Sequence, residues 1–223
     1  MGGAVLFDFG GTLDADGVPW KERFYRLYAD EGVAPPRERF DPVFYAADDA
    51  LVGQVPATLP IEDTVTRLTA GVTEAIRPGD RDLAARVARR FLEATRAQIE
   101  RNRPLLTRLS ARHRLGLVSN FYGNLVTVCD DLAIRPYFTV IVDSTAVGLS
   151  KPDPRIFRRA LEDLGVPLAS SVFVGDSLAR DMAGARAVGM RHVWLAGDAP
   201  AGGAPCCPED HVARSLDEVE AWV

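Results

Sequence analysis

Three polar side chains that could do chemistry stand at the ends of apolar, β-branched runs in distant parts of the sequence. They are Asp8, Ser119 and Asp176. A carboxylate can act as a nucleophile or a metal ligand, and a hydroxyl can donate a hydrogen bond to a phosphoryl oxygen. If the three runs are neighbouring strands, their ends bring these side chains together. The pattern therefore predicts one chemical site assembled from three segments.

Five apolar runs are typical of buried strands, and helix-like segments separate the last four. This alternation predicts right-handed crossovers and a Rossmann-like, doubly wound parallel sheet of the α/β class. Such sheets bind ligands at the carboxyl ends of their strands, where the three polar side chains are expected. The predicted strands span 4–7, 115–119, 140–142, 172–174 and 192–195. The predicted helices between them span 125–133, 154–164 and 178–188.

The stretch 14–103 differs from the rest of the chain because it contains no buried-strand run. Prolines divide it into helix-like pieces, so we predict an all-helical domain inserted after the first strand. The predicted helices of this insert span 19–31, 39–52, 61–76 and 80–102. The predicted domains are a sheet-containing core at 1–13 and 104–223 and a helical insert at 14–103.

A second acidic residue, Asp181, follows Asp176 beyond the end of the fourth predicted strand. These two carboxylates beside Asp8 would repel one another unless a cation lay among them. Mg²⁺ prefers oxygen ligands, keeps several waters and binds through one or two carboxylates plus a substrate phosphate. The acidic cluster therefore predicts a Mg²⁺ site. Asp176 can also cap the helix predicted to begin near Leu178, and one aspartate can do both.

Four segments resemble the motifs of the haloacid dehalogenase-like (HAD) superfamily, in the same order. The segment 8–12, Asp-Phe-Gly-Gly-Thr, resembles the first motif, Asp-x-Asp-x-Thr. Ser119 resembles the second motif, a Ser or Thr at a strand end, and Lys151 before a proline resembles the third. The pair Asp176 and Asp181 resembles the acidic fourth motif. The helical insert resembles the C1-type cap, so the likeness covers nearly the whole chain.

The resemblance implies phosphoryl transfer with Mg²⁺ and gives each motif residue a role. Asp8 is the implied nucleophile, and Thr12 is expected to orient it. Ser119 and Lys151 are expected to hold the phosphoryl group. The implied substrate-binding residues are Asn120, through nearby backbone groups, and Trp20 and Lys21 of the cap. The implied metal ligands are Asp8, the Gly10 carbonyl and Asp176, with support from Asp181.

The departure from the HAD pattern is Gly10, because HAD phosphatases carry an aspartate at this position. That aspartate binds Mg²⁺ through its carbonyl, and its side chain is the general acid and base. Glycine keeps the carbonyl, which can still bind the metal, but it has no carboxyl to transfer protons. Proton transfer by a positioned side chain typically raises the rate by about 100- to 10,000-fold. Candidate substitutes are a substrate group or Asp14 and Asp16, on the segment that forms a mobile flap in HAD proteins. Both aspartates are also ordinary turn residues.

Three functions follow from this pattern. The first is a Mg²⁺-dependent phosphohydrolase or phosphotransferase, slow because of Gly10, that forms an aspartyl-phosphate with a small phosphorylated metabolite. The second is a non-catalytic HAD-like protein that binds a phosphoryl group or a partner. The third is dehalogenase-like attack of Asp8 on carbon. HAD dehalogenases need no metal and lack the paired aspartates, so Asp176 and Asp181 favour the phosphoryl site.

The composition is that of an ordinary globular protein, with 47% hydrophobic and 26% charged residues. A formal net charge of -5 argues against non-specific binding to nucleic acid or to anionic membranes. The sequence shows no signal-peptide pattern and no apolar run of membrane-spanning length, so we expect a cytoplasmic protein. The oligomeric state stays open.

Two features near the end of the chain allow more than one interpretation. Cys206 and Cys207, with His211 nearby, are interpreted as loop thiols, with a metal clip as the alternative. The tail 215–223 is predicted to form a short helix. Its apolar residues Leu216, Val219 and Trp222 lie on one face and are expected to pack in the core.

Overall fold

The computed structural model describes residues 3–198 and 211–223. Within these residues, six strands form one sheet, and every neighbouring pair is parallel. The strands are β1 (Ala4–Phe7), β2 (Arg114–Ser119), β3 (Val140–Asp143), β4 (Ser171–Gly175), β5 (Arg191–Leu195) and β6 (His211–Ala213). Their order in the sheet is β3-β2-β1-β4-β5-β6, which is doubly wound about β1. The predicted Rossmann-like α/β fold is therefore confirmed.

Helices cover both faces of the sheet and fill the long connection between β1 and β2. The four helices of that connection are α1 (Trp20–Asp30), α2 (Arg37–Asp49), α3 (Ile61–Ile76) and α4 (Arg81–Ser110). The helices that follow β2 are α5 (Leu125–Asp131), α6 (Ser144–Val147), α7 (Pro154–Leu164) and α8 (Ala183–Ala187). The helix-rich connection agrees with the expected helical insert, and the division of the chain into two domains stays a prediction.

The alternation of side chains along β1 explains why its sequence is apolar throughout. Val5 and Phe7 point into one hydrophobic core, and Leu6 points into a second core on the opposite face. Leu109 of α4 lies in the first core, and Phe157 of α7 lies in the second. A strand buried on both faces needs an apolar residue at every position, which is the pattern that predicted the strand.

The structure differs from the sequence-based prediction in the length of α4. The predicted helix ends at residue 102, but α4 continues through Pro104 to Ser110 and crosses the predicted domain boundary. Proline in a helix interior removes one backbone hydrogen bond and is unfavourable. Leu105, Leu106 and Leu109, which follow the proline, are fully buried. Their packing against the sheet offsets the unfavourable proline.

The end of the chain holds the other differences. Strand β6 was not predicted, because a run of three residues is too short to show a periodic pattern. Leu216 and Val219 are buried as predicted, but Trp222 is 41% exposed and stacks on His211 instead of entering the core. Cys206 and Cys207 lie outside the described residues.

The predicted helix over 178–188 forms in two parts. A π-helical turn spans Leu178–Met182 and leads into α8, which consists of small residues apart from one arginine. The absence of a side chain at Gly184 lets α8 approach Phe157 of α7 closely. Phe157 in turn makes an edge-on contact with Phe173 of β4, with ring centroids 5.0 Å apart.

None of the helices among the described residues is long and apolar enough to cross a membrane.

Aromatic packing fixes the inserted helices over the carboxyl edge of the sheet. Trp20 of α1 contacts Phe91 of α4, with ring centroids 5.0 Å apart, and Phe24 stacks on Phe91 at 4.4 Å. Trp20 also contacts Phe121, which follows β2, at 5.9 Å. Such aromatic pairs contribute about 0.5–1.5 kcal/mol each beyond their burial. Trp20 is therefore held between the inserted helices and the sheet.

Replacement of Gly184 by alanine tests the close packing of α8. Alanine is the better helix former by about 1 kcal/mol, but its Cβ would overlap the Phe157 ring and approach the Cα atom of Pro152 at 3.2 Å. We expect Gly184→Ala to destabilise the protein by about 1–3 kcal/mol, as overpacked core substitutions do. Denaturant unfolding of both proteins measures this difference. An unchanged or higher midpoint would contradict the packing described for α8.

Candidate functional site

The turn after β1 places Asp8 at the edge of the sheet. The backbone N–H of Asp8 donates to the Val174 carbonyl of β4 at 2.9 Å, so Asp8 is still held as part of the strand. The chain then turns at Gly11, which has a φ of +90° that favours glycine. A Cβ at Gly11 would also lie 2.5 Å from Asp176. Glycine thus lets the turn approach the acidic residue at the end of β4.

Three carboxylates meet at this edge, as the sequence predicts. Asp8, Asp176 and Asp181 each offer an oxygen, and these oxygens all lie within 4.8 Å of one another. The Lys151 ammonium lies 2.7 Å from Asp8 Oδ1 and 2.6 Å from Asp181 Oδ1. Asp181 is completely buried, and Lys151 is 4% exposed. One ammonium therefore faces three acidic groups, and it cannot balance all of them when they are ionised.

Burial, together with this imbalance of charge, raises the pKa values of two carboxyl groups. Burial raises the pKa of Asp181 to about 6; the charge of Lys151 opposes the rise, and the charge of Asp8 adds to it. Burial also raises the pKa of Asp176 well above its ordinary value, and the charges of Asp181 and Asp8 raise it further. A bound cation would offset the part of these shifts that comes from repulsion between the carboxylates.

The donor set fits Mg²⁺. Its atoms are carboxylate oxygens, the ligands that Mg²⁺ prefers, and the cluster carries an excess of negative charge when ionised. Asp8, Asp176 and Asp181 are the residues that would hold the ion. Gly10 lines the same cavity, and its carbonyl is a further ligand that the resemblance implies.

Thr12 lies in the site but contacts a different residue from the expected one. Its hydroxyl donates to Asp176 Oδ1 at 3.0 Å, whereas the sequence analysis expects it to orient Asp8. Thr12 is fully buried, so this hydrogen bond satisfies its hydroxyl and fixes the Asp176 carboxylate. Thr12 therefore positions a predicted metal ligand.

Asn120 holds the backbone of Lys151. Its side-chain N–H donates to the Lys151 carbonyl at 3.0 Å, and the Lys151 N–H donates to its side-chain oxygen at 2.7 Å. The amide of Asn120 is therefore used to fix the lysine and is not directed at a substrate. Ser119, beside it, lines the cavity, and its hydroxyl makes no hydrogen bond to any described residue.

Trp20 covers the position where Gly10 lacks a side chain. A Cβ on Gly10 would lie 3.2 Å from Trp20 Nε1 and 3.4 Å from Cδ1. The indole N–H donates to Asp14 Oδ2 at 2.7 Å, so the ring is fixed in this place. The space beside residue 10 is therefore filled by tryptophan, and a Gly10→Asp replacement would have to displace the ring to enter it.

Neither Asp14 nor Asp16 can replace the missing carboxyl in this arrangement. Asp14 is buried, accepts hydrogen bonds from the Gly11 N–H and from Trp20, and forms an ion pair with Arg23 at 2.6 Å. It does not line the cavity.

Asp16 accepts from the Leu216 N–H at 3.0 Å and from Gln98 at 2.9 Å, so it connects the turn to the tail and to α4. Like Asp14, it does not line the cavity. The candidate acid–base role of these two aspartates is therefore corrected to a structural one.

A cavity of about 460 Å³ lies between this edge and the inserted helices, within the range of small-molecule sites. The core side presents the predicted residues Asp8, Gly10, Ser119, Asn120, Lys151, Asp176 and Asp181. The opposite wall includes Trp20 and Lys21, also predicted. Lys21 pairs with Asp41 at 2.6 Å and lies 5.1 Å from the centre of the Tyr45 ring.

Among the cavity residues that the sequence did not predict, Asp48 of α2 and Tyr122 after β2 face each other. The Tyr122 hydroxyl donates a hydrogen bond to Asp48 Oδ1. One signal in the sequence could have drawn attention to Asp48. It lies in the last turn of α2, where the helix dipole disfavours a negative charge. An aspartate at such a position suggests a functional role instead of a contribution to helix stability.

Thermal unfolding with and without Mg²⁺ tests the carboxylate cluster. At 100 times its Kd, a ligand stabilises by about 2.7 kcal/mol, which corresponds to roughly 5–10 °C for a chain of this size. We expect a larger shift at pH 7.5 than at pH 5, because ionising Asp176 and Asp181 lowers the stability of the metal-free protein as the pH rises through their raised pKa values.

The matched variants for this measurement are Asp176→Asn and Glu93→Gln, the latter at an exposed position on α4. Asp176→Asn should abolish the Mg²⁺ shift and raise the stability of the metal-free protein at pH 7.5, since it removes one repelling charge. Glu93→Gln should change neither. A Mg²⁺ shift that survives Asp176→Asn would place the ion elsewhere.

Comparison with known proteins agrees with this fold. A family model described as haloacid dehalogenase-like hydrolase matches residues 3–189. Haloacid dehalogenase-like hydrolase domain-containing protein 3 of Mus musculus is 40% identical over 108 residues, which are 48% of this chain and 43% of that protein. The phosphoserine phosphatase of Thermus thermophilus is 44% identical over 59 residues, 26% of this chain and 24% of that enzyme.

The fold also resembles solved structures over its whole length. The crystal structure of a HAD phosphatase from Thermococcus onnurineus superposes with a TM-score of 0.61 and 24% identity, covering 100% of this chain and 97% of that one. The chain matches less than half of the length of the curated relatives described above. Because the family model covers most of the sequence, including Asp8, Lys151 and both aspartates of the acidic pair, the chain belongs to the haloacid dehalogenase-like hydrolase family.

Proposed function

We propose that this protein is a Mg²⁺-dependent phosphohydrolase or phosphotransferase that moves a phosphoryl group from a small phosphorylated metabolite to Asp8. The observation that carries the proposal is the Lys151 ammonium between Asp8 and Asp181 beside a third carboxylate. This arrangement puts a nucleophile, a positive charge and a metal-binding cluster at one end of a cavity. The similarity to a phosphoserine phosphatase supports the same chemistry.

The residues have separable tasks in this reaction. The Asp8 carboxylate attacks phosphorus, and Lys151 offsets part of the charge that the phosphoryl oxygens bring near it. The free hydroxyl of Ser119 donates to a phosphoryl oxygen. A bound Mg²⁺ would supply further charge neutralisation. The attack breaks the ester bond and leaves an aspartyl-phosphate, which water then hydrolyses to phosphate while Asp8 is regenerated.

The inserted helices enclose the rest of the substrate. Their wall of the cavity carries aromatic surface from Trp20, Phe44 and Tyr45 and the ammonium of Lys21. A cavity of about 460 Å³ suits a metabolite rather than a macromolecule. We therefore propose a small phosphorylated molecule as substrate, with no role for nucleic acid or membrane.

One observation favours a non-catalytic binding protein as the second candidate. The place of the acid–base residue is filled by the Trp20 ring against Gly10, so the proton transfer usual in the family is missing there. Such a protein would bind Mg²⁺ and phosphate without turnover. The dehalogenase-like alternative is weaker, because attack on carbon gives no reason for three clustered carboxylates.

Phosphate release in the presence of Mg²⁺ tests the proposal. The panel is 4-nitrophenyl phosphate, phosphoserine, glycerol 3-phosphate and uridine 5′-phosphate. We expect wild type to release phosphate from at least one ester, chelation of Mg²⁺ to stop the release, and Asp8→Asn to lower it by at least about 1,000-fold, as loss of a nucleophile does. Glu93→Gln is the control and should keep full activity.

Two results would contradict this account. Phosphate release that persists in Asp8→Asn would exclude the covalent route through Asp8. Stabilisation by Mg²⁺ and inorganic phosphate without turnover of any ester would favour the binding protein.

A further inference from the structure

We propose that Asp48, positioned by Tyr122, is the general acid and base that the chain uses in place of the carboxyl lost at Gly10. This inference rests on the proposed function, since it assigns the proton transfer of the same reaction. The carboxyl comes from α2, in the helical connection between β1 and β2, and not from the turn after β1.

The direction of attack places the leaving group on the side of Asp48. In phosphoryl transfer the nucleophile and the leaving oxygen lie roughly in line on opposite sides of phosphorus. Asp8 lies on the sheet side of the cavity, so the leaving oxygen points towards the wall formed by the inserted helices. Asp48 lines that wall of the same cavity.

Asp48 is the carboxyl on that wall that is free to exchange a proton. The other one, Glu22, is held on both oxygens by Arg37. Asp48 forms no ion pair with any described residue, and the hydroxyl of Tyr122 engages only its Oδ1. Its Oδ2 makes no hydrogen bond within the described residues and is therefore available to the leaving group.

Tyr122 holds Asp48 in a fixed place. The tyrosine is 4% exposed, and its ring lies 4.7 Å from Phe121 and 6.4 Å from Trp20 between centroids. It therefore packs beside the tryptophan that covers Gly10. The Tyr122 hydroxyl extends from this aromatic cluster and donates a hydrogen bond to Asp48. Asp48 is therefore positioned by the same aromatic cluster whose Trp20 ring fills the space beside Gly10.

The protonation of Asp48 suits the task. Burial raises the pKa of Asp48 above its ordinary value, the hydrogen bond from Tyr122 and the charge of Arg180 lower it, and the charge of Asp49 raises it. The net rise increases the protonated fraction near neutral pH. A general acid needs that fraction, and a catalytic pKa closer to the working pH is more effective in both directions.

Over the two steps of the reaction, Asp48 gives up one proton and regains one. As the Asp8–phosphorus bond forms and the ester bond breaks, protonated Asp48 gives its proton to the leaving alkoxide, and the alcohol departs. The Asp48 carboxylate then takes a proton from the water that attacks phosphorus. The bond from Asp8 to phosphorus breaks, phosphate leaves, and both aspartates return to their starting states.

The way in which the cleavage rate depends on the leaving group distinguishes a general-acid role of Asp48 from a structural role. We would compare wild type, Asp48→Asn and Glu38→Gln, an exposed position of the same helix, in the first turnover with Mg²⁺. The substrates are 4-nitrophenyl phosphate, whose leaving group needs no proton, and the three alkyl phosphates of the panel. Asp48→Asn should slow the fastest alkyl ester by about 100- to 10,000-fold and 4-nitrophenyl phosphate by less than about tenfold.

Tyr122→Phe provides the second variant. It removes a hydrogen bond that lowers the pKa of Asp48, so the basic limb of the alkyl-ester pH profile should move to higher pH. Retained cleavage of 4-nitrophenyl phosphate shows that each variant is folded.

The outcomes distinguish the inference from the proposed function. Equal losses on both kinds of ester, an unmoved basic limb in Tyr122→Phe, or a wild type that cleaves only 4-nitrophenyl phosphate would overturn the role of Asp48 alone. Release that is absent from every ester, or that persists in Asp8→Asn, would overturn the proposed function and the inference with it.

Discussion

The site depends on one buried ammonium. Lys151 lies between Asp8 and Asp181, and its 4% exposure leaves these carboxylates as its main compensation. A buried ion pair contributes little to stability by itself, and the loss of one partner is strongly unfavourable, by about 3–5 kcal/mol. Two hydrogen bonds between the Asn120 side chain and the Lys151 backbone also fix the position of the lysine. Because Asp176 adds a third carboxylate, the cluster keeps an excess of negative charge that a bound cation would neutralise.

The second constraint is the turn after β1, which must bring Asp8 close to Asp176 and also lie beneath the inserted helices. Gly11 allows the first approach, and Gly10 allows the second, because Trp20 packs against it. Trp20 and Asp14 then bind the turn to α1. We conclude that the absence of a side chain at residue 10 lets the tryptophan pack there. In the reaction that we propose, the proton comes from Asp48 on the other wall of the cavity.

Periodicity and strand ends predicted the part of the structure that depends on local pattern. The doubly wound sheet follows from apolar runs buried on both faces, and Asp8, Ser119 and Asp176 were predicted because topology places the ends of parallel strands on one edge. Lys151 was predicted from the resemblance to the third HAD motif. What the sequence left open or predicted wrongly concerns tertiary packing. The partner of Thr12 and the structural role of Asp14 depend on which side chains meet across the turn.

Asp48 was missed for a related reason. An aspartate near the end of a helix looks like a solvated residue until the packing of α2 directs it into the cavity towards Tyr122. Strand β6 was too short for any pattern to predict it, whereas the short helix of the tail was predicted and forms at Leu216–Trp222. The sequence therefore predicts the sheet edge well, and it predicts poorly what the inserted helices bring to that edge.

The most direct test of the account is to trap the covalent intermediate. Wild type would be mixed with Mg²⁺ and 4-nitrophenyl phosphate, quenched in acid within the first turnover and digested, and the peptide that contains residues 4–13 would be sequenced by mass spectrometry. The account predicts a phosphoryl group on Asp8 that forms with the burst of nitrophenolate and is absent from Asp8→Asn. Nitrophenolate release in wild type with no phosphoryl group on Asp8 at any quench time would contradict it.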